Sequence, residues 1–149
     1  GTVFWCGNGG SASDSQHLAG ELIGRFVGNR KPLRSIALAT GGAEGSCIAN
    51  DFGYLQVFNR QVEALAHEGD VVIGISTGGS SPNVISALKL ANDIGCKTIG
   101  FSGRGGGEFN ELCDVNLIAV ADNTPRIQEM HILIGHTICH LIDQAFVQN

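Results

Sequence analysis

At 149 residues the chain can close one domain around a real core. A formal net charge of −5 leaves no electrostatic footprint for nucleic acid, and no apolar run reaches the length of a membrane span. Only 15% of residues are charged against 43% hydrophobic, a composition that points to surface buried in an oligomer.

The first predicted strand is Thr2–Cys6. It runs into a glycine-rich turn, Gly7-Asn8-Gly9-Gly10-Ser11, and then a helix over Ser13–Phe26. Ser35–Ala39 reads as a second buried strand. Ala43–Ala49 is a short helical stretch that Asn50-Asp51-Phe52-Gly53 is expected to break, and Tyr54–Ala66 resumes helical spacing. Asp70–Ile75 is the third strand. Pro82 stands where a helix to Ile94 would begin, and Gly95 where it would be capped. Lys97–Phe101 is strand four, Glu108–Leu112 a short helix, Asp114–Val120 strand five, and Arg126 to Val147 the last helix. Strands alternating with helices predict an α/β fold with a parallel sheet covered on both faces. Such sheets bind ligands beyond the carboxyl ends of their strands, and here strands one to four all end in small, polar, glycine-bearing loops.

The five cysteines, Cys6, Cys47, Cys96, Cys113 and Cys139, are odd in number and form no C-x-x-C. They read as the reduced thiols of a cytoplasmic protein.

Three segments carry chemistry. A strand, a glycine turn and a helix present backbone N–H groups to an anion. Gly7, Gly9 and Ala12 also fit a dinucleotide fingerprint, but the second strand ends Ala39-Thr40-Gly41 with no acid for a ribose, so no nucleotide cofactor is expected. His17 and Glu21, four apart on the first helix, share a face as a proton-transfer or metal pair. Out of context the pair would read as a solvated helix face. Ser76, Thr77, Ser80 and Ser81 precede the Pro82 helix, and hydroxyls with free amides suit a phosphate dianion. The loop lacks the lysine of a Walker A motif, and its plainer reading is a serine-rich helix cap. On the last helix Gln128 and His136 are eight apart, about 80° around the axis, so both can border one cleft, whereas His131 lies about 140° from His136 and faces elsewhere.

The segments CGNGGSASDSQHLAGELIGRF, IANDFGY, VVIGISTGGSSPNV and RIQEMHILIGH resemble the sugar isomerase (SIS) domain, and within it the phosphoheptose isomerase family. The resemblance implies a three-layer, flavodoxin-like fold with a five-stranded parallel sheet, one SIS domain over 1–149. It implies a homotetramer with active sites at subunit interfaces, in the cytoplasm. The implied reaction interconverts sedoheptulose 7-phosphate and a heptose 7-phosphate for bacterial surface heptose synthesis. Carried onto this chain, Asn8, Gly9 and Gly10 match the substrate turn, Asn50 and Asp51 a contact pair, and Ser76, Thr77, Gly78 and Ser81 the phosphate loop. Gln128 matches a substrate-binding glutamine, and Glu21 and His136 the catalytic base and acid. In zinc-binding members His17, Glu21, Gln128 and His136 would be the ligands, glutamine being unusual for zinc. The family's helices before the first strand are not seen here, so an N-terminal helical segment is expected outside these residues. Two positions depart from the family pattern: Gly78 lacks a hydroxyl, and Thr40-Gly41 stands where Thr-Asp is usual. The alternative implied by the same likeness is a non-catalytic SIS module, a phosphosugar sensor or an adaptor for a replication initiator. Such a module need not keep Glu21, Gln128 and His136 together.

Overall fold

The computed structural model describes residues 1–39 and 41–146, so Thr40 and the expected helix end at Val147 lie outside the described residues. The elements in chain order are β1 (Val3–Gly7), α1 (Gly10–Ile23), β2 (Ser35–Ala37), α2 (Gly42–Phe52), a 3-10 turn (Tyr54–Gln56) and α3 (Asn59–Leu65). They continue with β3 (Val71–Ile75), α4 (Pro82–Ile94), β4 (Lys97–Ser102), α5 (Phe109–Leu112), β5 (Val115–Ile118) and α6 (Thr124–Phe146). All five strands are parallel in the order β2-β1-β3-β4-β5, so the chain reverses direction across the sheet between β1 and β3. In such sheets that reversal opens a crevice at the carboxyl ends of the strands.

The two-residue period of the strands divides the core. Phe4 and Cys6 of β1 and Val72 of β3 join Val62, Val84, Leu88 and Ala91 under α3 and α4. Trp5, Ile73, Ile75 and Phe101 face the other way, onto Leu18, Leu22 and Cys139 of α1 and α6. Each fully buried Leu, Val or Phe adds about 1.5–3 kcal/mol of transfer free energy. Polar links close the layers: the Trp5 indole N–H donates to Ser35 Oγ at 2.9 Å, and Asp143 of α6 accepts from Arg30 Nε at 2.7 Å and from the Val27 and Gly28 amides.

Several expected ends move: α1 begins at Gly10 and stops at Ile23 rather than spanning Ser13–Phe26, and β2 and β5 are shorter than the expected Ser35–Ala39 and Asp114–Val120. Two further differences concern the segment between β2 and β3. Asn50 and Asp51 do not break α2; it runs on through Phe52 and stops at Gly53, whose φ of 85° a side chain would resist. The helix expected over Tyr54–Ala66 is a 3-10 turn followed by the shorter α3, because Val57 and Phe58 turn into the core between them. The Pro82–Ile94 helix has the expected bounds, with Gly95 left-handed at φ 93° after it.

Candidate active site

Two groups of side chains gather along α1 and α6. The first lines a cavity of about 300 Å³ at the carboxyl ends of β1 and β3, walled by Asn8 to Ser11, Ser76, Thr77, Ser81, Thr124 and Gln128. None of these side chains is ionisable. The Ser81 hydroxyl makes no capping bond to α4; it lies 2.9 Å from the Ser76 hydroxyl instead. The plain serine-cap reading therefore fails at Ser81, and both hydroxyls stay near the helix N-terminus, where an anion is favoured.

Asn8 is held by three hydrogen bonds with two residues. Its amide and that of Asn83 exchange two hydrogen bonds, each 2.9 Å, and Tyr54 Oη donates to Asn8 Oδ1 at 2.9 Å. The Val84 backbone N–H donates to Asn83 Oδ1, which fixes the orientation of both amides. Gln128 closes the opposite wall, its amide so near Gly10 that any side chain there would collide with it.

The second group is the cluster His17, Glu21 and His136, whose ligand atoms all lie within 4.8 Å of one another. His17 Nε2 is 2.9 Å from Glu21 Oε1 and 3.4 Å from His136 Nε2. The His136 ring is bracketed by His17 and by Phe26, with centroids at 5.0 and 5.2 Å. Two imidazole nitrogens and a carboxylate oxygen thus converge, a donor set suited to a divalent cation or a shared proton. The approach of the two helices depends on Gly135, where a Cβ would strike the buried Leu18 side chain. Leu18 and Gly135 are the chain neighbours of His17 and His136, so this crossing sets the imidazole separation.

Behind the cluster lie two buried polar atoms with no hydrogen-bond partner among the described residues. His131 is fully buried and bonds Ser102 O through Nε2 at 2.9 Å, while its Nδ1 has no partner, nor has the buried Asp14 Oδ2. Burial raises the Asp14 carboxyl above its ordinary value against the pull of His131, His17 and His136. Burial likewise lowers the His131 imidazole, so His131 is a neutral structural histidine that faces away from the cluster, as its helical angle predicts. The core thiols are inert: burial pushes Cys6 up to about 12 and Cys139 to about 11.

Of the expected site residues, the structure brings Asn8, Gly9, Gly10, Ser76, Thr77, Ser81 and Gln128 together in the cavity, and His17, Glu21 and His136 in the cluster. From Gly10 to His17 along α1 is about 10 Å, and from Gln128 to His136 along α6 about 12 Å, at the helical rise per residue. The cavity and the cluster are therefore two stations along one helix pair. Asn50 and Asp51 join neither; they are exposed on α2, with Asn50 Nδ2 donating to Asp51 Oδ1 at 2.7 Å. Gly78 is not in the lining; its backbone packs on Gly107. Sequence reasoning missed Tyr54, Asn83 and Thr124. Asn83, a polar residue buried at the start of an apolar helix face, was the one discernible signal.

The SIS domain family model matches residues 1–103. A phosphoheptose isomerase of Aliarcobacter butzleri is 60% identical over 141 residues, covering 95% of this chain and 75% of that one. Phosphoheptose isomerase 1 of Campylobacter jejuni is 56% identical, covering 98% and 78%. The solved phosphoheptose isomerase of Neisseria gonorrhoeae superposes with a TM-score of 0.90 at 43% identity, over 97% of this chain and 77% of that structure.

Proposed function

The chain belongs to the phosphoheptose isomerase family of SIS domains, and on that premise we infer that it interconverts sedoheptulose 7-phosphate and D-glycero-D-manno-heptose 7-phosphate. The observation that carries the chemistry is the meeting of Glu21 and His136 across the α1–α6 crossing, along the same helix pair as a cavity of neutral anion donors. Aldose–ketose exchange moves a proton between C1 and C2 through an enediol. Glu21 takes the carbon-bound proton and returns it to the neighbouring carbon. His136 gives a proton to the carbonyl oxygen and recovers one from the adjacent hydroxyl, as a general acid and base within reach of both oxygens would. The Ser76–Ser81 loop holds the phosphate, with Asn8, Gly9 and Gly10 along the sugar. Asn50, Asp51 and Gly78 are further substrate contacts that this chain alone does not bring to the cavity.

The converging nitrogens and carboxylate of His17, Glu21 and His136 fit a zinc ion, which those three side chains would hold; Gln128, in the cavity wall about two helical turns along α6, is the fourth ligand that the family resemblance implies. An ion held there would supply Lewis-acid polarisation of a carbonyl oxygen. An apolar, charge-poor chain and a cluster two turns from the cavity favour a homotetramer that closes the site between subunits. Among the described residues no helix is long and apolar enough to cross a membrane. We place the enzyme in the cytoplasm, as one SIS domain supplying heptose for surface polysaccharide.

The test is direct: incubate the protein with sedoheptulose 7-phosphate in deuterated water and follow the product by NMR. Heptose 7-phosphate carrying deuterium at C2 is expected. Binding without turnover would favour the sensor or adaptor alternative. Chelation should lower activity, and added zinc should restore it and raise Tm.

A further inference from the structure

The loop between β4 and α5, Gly103 to Glu108, touches both walls of the cavity. Toward the phosphate loop it packs backbone on backbone. A Cβ at Gly79 would collide with the Gly106 carbonyl, one at Gly107 with the Gly78 carbonyl, and the Glu108 amide donates to Gly79 O at 3.0 Å. Toward α6 it sends one side chain. Arg104 Nη2 donates to Thr124 Oγ1 at 2.9 Å, and Arg104 Nε to Asp122 O at 3.3 Å. Arg104 has a φ of 51° and is the non-glycine residue of the described chain with positive φ, a strained conformation that glycine would hold more cheaply.

Thr124 is on the cavity wall, four residues before Gln128 and so on the same face of α6. A guanidinium can only donate, so the Thr124 oxygen serves as its acceptor and the Thr124 O–H remains for a ligand. No lining side chain carries a charge, and the exposed Arg104 brings positive charge to that hydroxyl through its hydrogen bond to Thr124.

We propose that Arg104 and Thr124 form a positioning pair that reads the carbon chain of the bound phosphosugar: Thr124 donates to a sugar hydroxyl oxygen in the cavity it shares with the phosphate loop, and Arg104 holds and polarises it. The phosphate is left to the serine loop. The inference rests on the isomerase reading and adds a specificity determinant to it.

Two single variants and their combination test it in the full chain. Thr124→Val keeps the shape and removes the hydroxyl. Arg104→Gly removes the guanidinium at a position whose backbone glycine accepts. Each should raise KM for sedoheptulose 7-phosphate about tenfold, the effect of one charge-assisted hydrogen bond, with kcat nearly kept. The double variant should be no worse than Thr124→Val, since Arg104 acts through Thr124. Inhibition by inorganic phosphate and Tm should stay at wild-type values. An unchanged KM in Arg104→Gly, or additive losses in the double variant, overturns the pair. So does a parallel loss of phosphate inhibition, which would mean only that the loop had collapsed. Wild-type turnover is scored separately: a working wild type matched by both variants rejects the pair alone, and a wild type that binds phosphate without turnover rejects both readings.

Discussion

The serine loop and the histidine–glutamate cluster stand about two helical turns apart, and they are held by different means. At the loop the positions are set by backbone: Gly79 against Gly106, the Glu108 amide on Gly79 O, the Ser76 amide on Phe101 O. At the cluster they are set by side chains projecting from two helices, with His17 half exposed and the Gly135–Leu18 contact setting how near the helices come. A phosphate needs a rigid ring of donors that is the same before and after reaction. A proton-transfer pair needs groups that change charge and remain open to a metal, a substrate carbon or another subunit.

Variants can break this division. The largest effect is expected at the cluster: Glu21→Gln and His136→Ala should each lower kcat by about 10²-fold or more, while inorganic phosphate inhibits as before. Near wild-type exchange of the substrate proton in Glu21→Gln would remove Glu21 as the base. Next is one substitution made at both ends. Gly135→Ala inserts a methyl between α1 and α6 and should lower kcat roughly 10- to 100-fold, as expected for an ångström-scale misplacement. Its Tm should stay nearly level, because alanine returns about 1 kcal/mol of helix propensity. Gly79→Ala should do the reverse, weakening phosphate inhibition and costing about 1–3 kcal/mol for a side chain at φ 61° against backbone. Denaturant titration and phosphate inhibition on the same two proteins would show whether rigidity and chemistry really separate.

The smallest effect is one of pH. Burial would raise the Asp143 carboxyl, but the Val27 and Gly28 amides and Arg30 hold it below its ordinary value. A carboxyl lowered in the folded state lends stability that is complete above about pH 4, its unfolded value, and is lost as pH falls through the folded one. Asp143→Asn should therefore flatten the acid limb of the stability curve. An unchanged limb would show that another carboxylate governs it.

Much of this layout was legible in the chain. The alternation of strand and helix, the glycine turns at the strand ends and the Pro82 start all follow from local periodicity and backbone preference, and the structure keeps them. The His17–Glu21 spacing was likewise visible, because helical geometry converts sequence separation into direction, whereas the one cleft expected for Gln128 and His136 resolves into two groups about two turns apart along α6. Pairings across the sheet were not visible. Tyr54 and Asn83 reach Asn8 from 46 and 75 residues away, and no periodicity encodes that. Gly135 reads in sequence as a weak point in a helix, and only the crossing of α1 shows why a side chain is excluded. Asn50 and Asp51 were misread as a helix stop because short polar residues favour turns; the stop is the glycine after Phe52.

The reciprocal amide pair also bears on how the protein ages. Asn8 precedes Gly9, and an asparagine followed by glycine is the pairing most open to attack of the next backbone nitrogen on the side-chain amide. That attack closes a succinimide and leaves aspartate or isoaspartate. In the folded chain the Asn8 amide is occupied by Asn83 and Tyr54, which turns it away from cyclisation. Loss of its amino group would cost Asn83 a donor and set two oxygens face to face at the cavity wall. Native folding thus protects the residue most prone to spontaneous damage, and samples stored partly unfolded should lose substrate affinity in step with deamidation at Asn8, as read by peptide mapping.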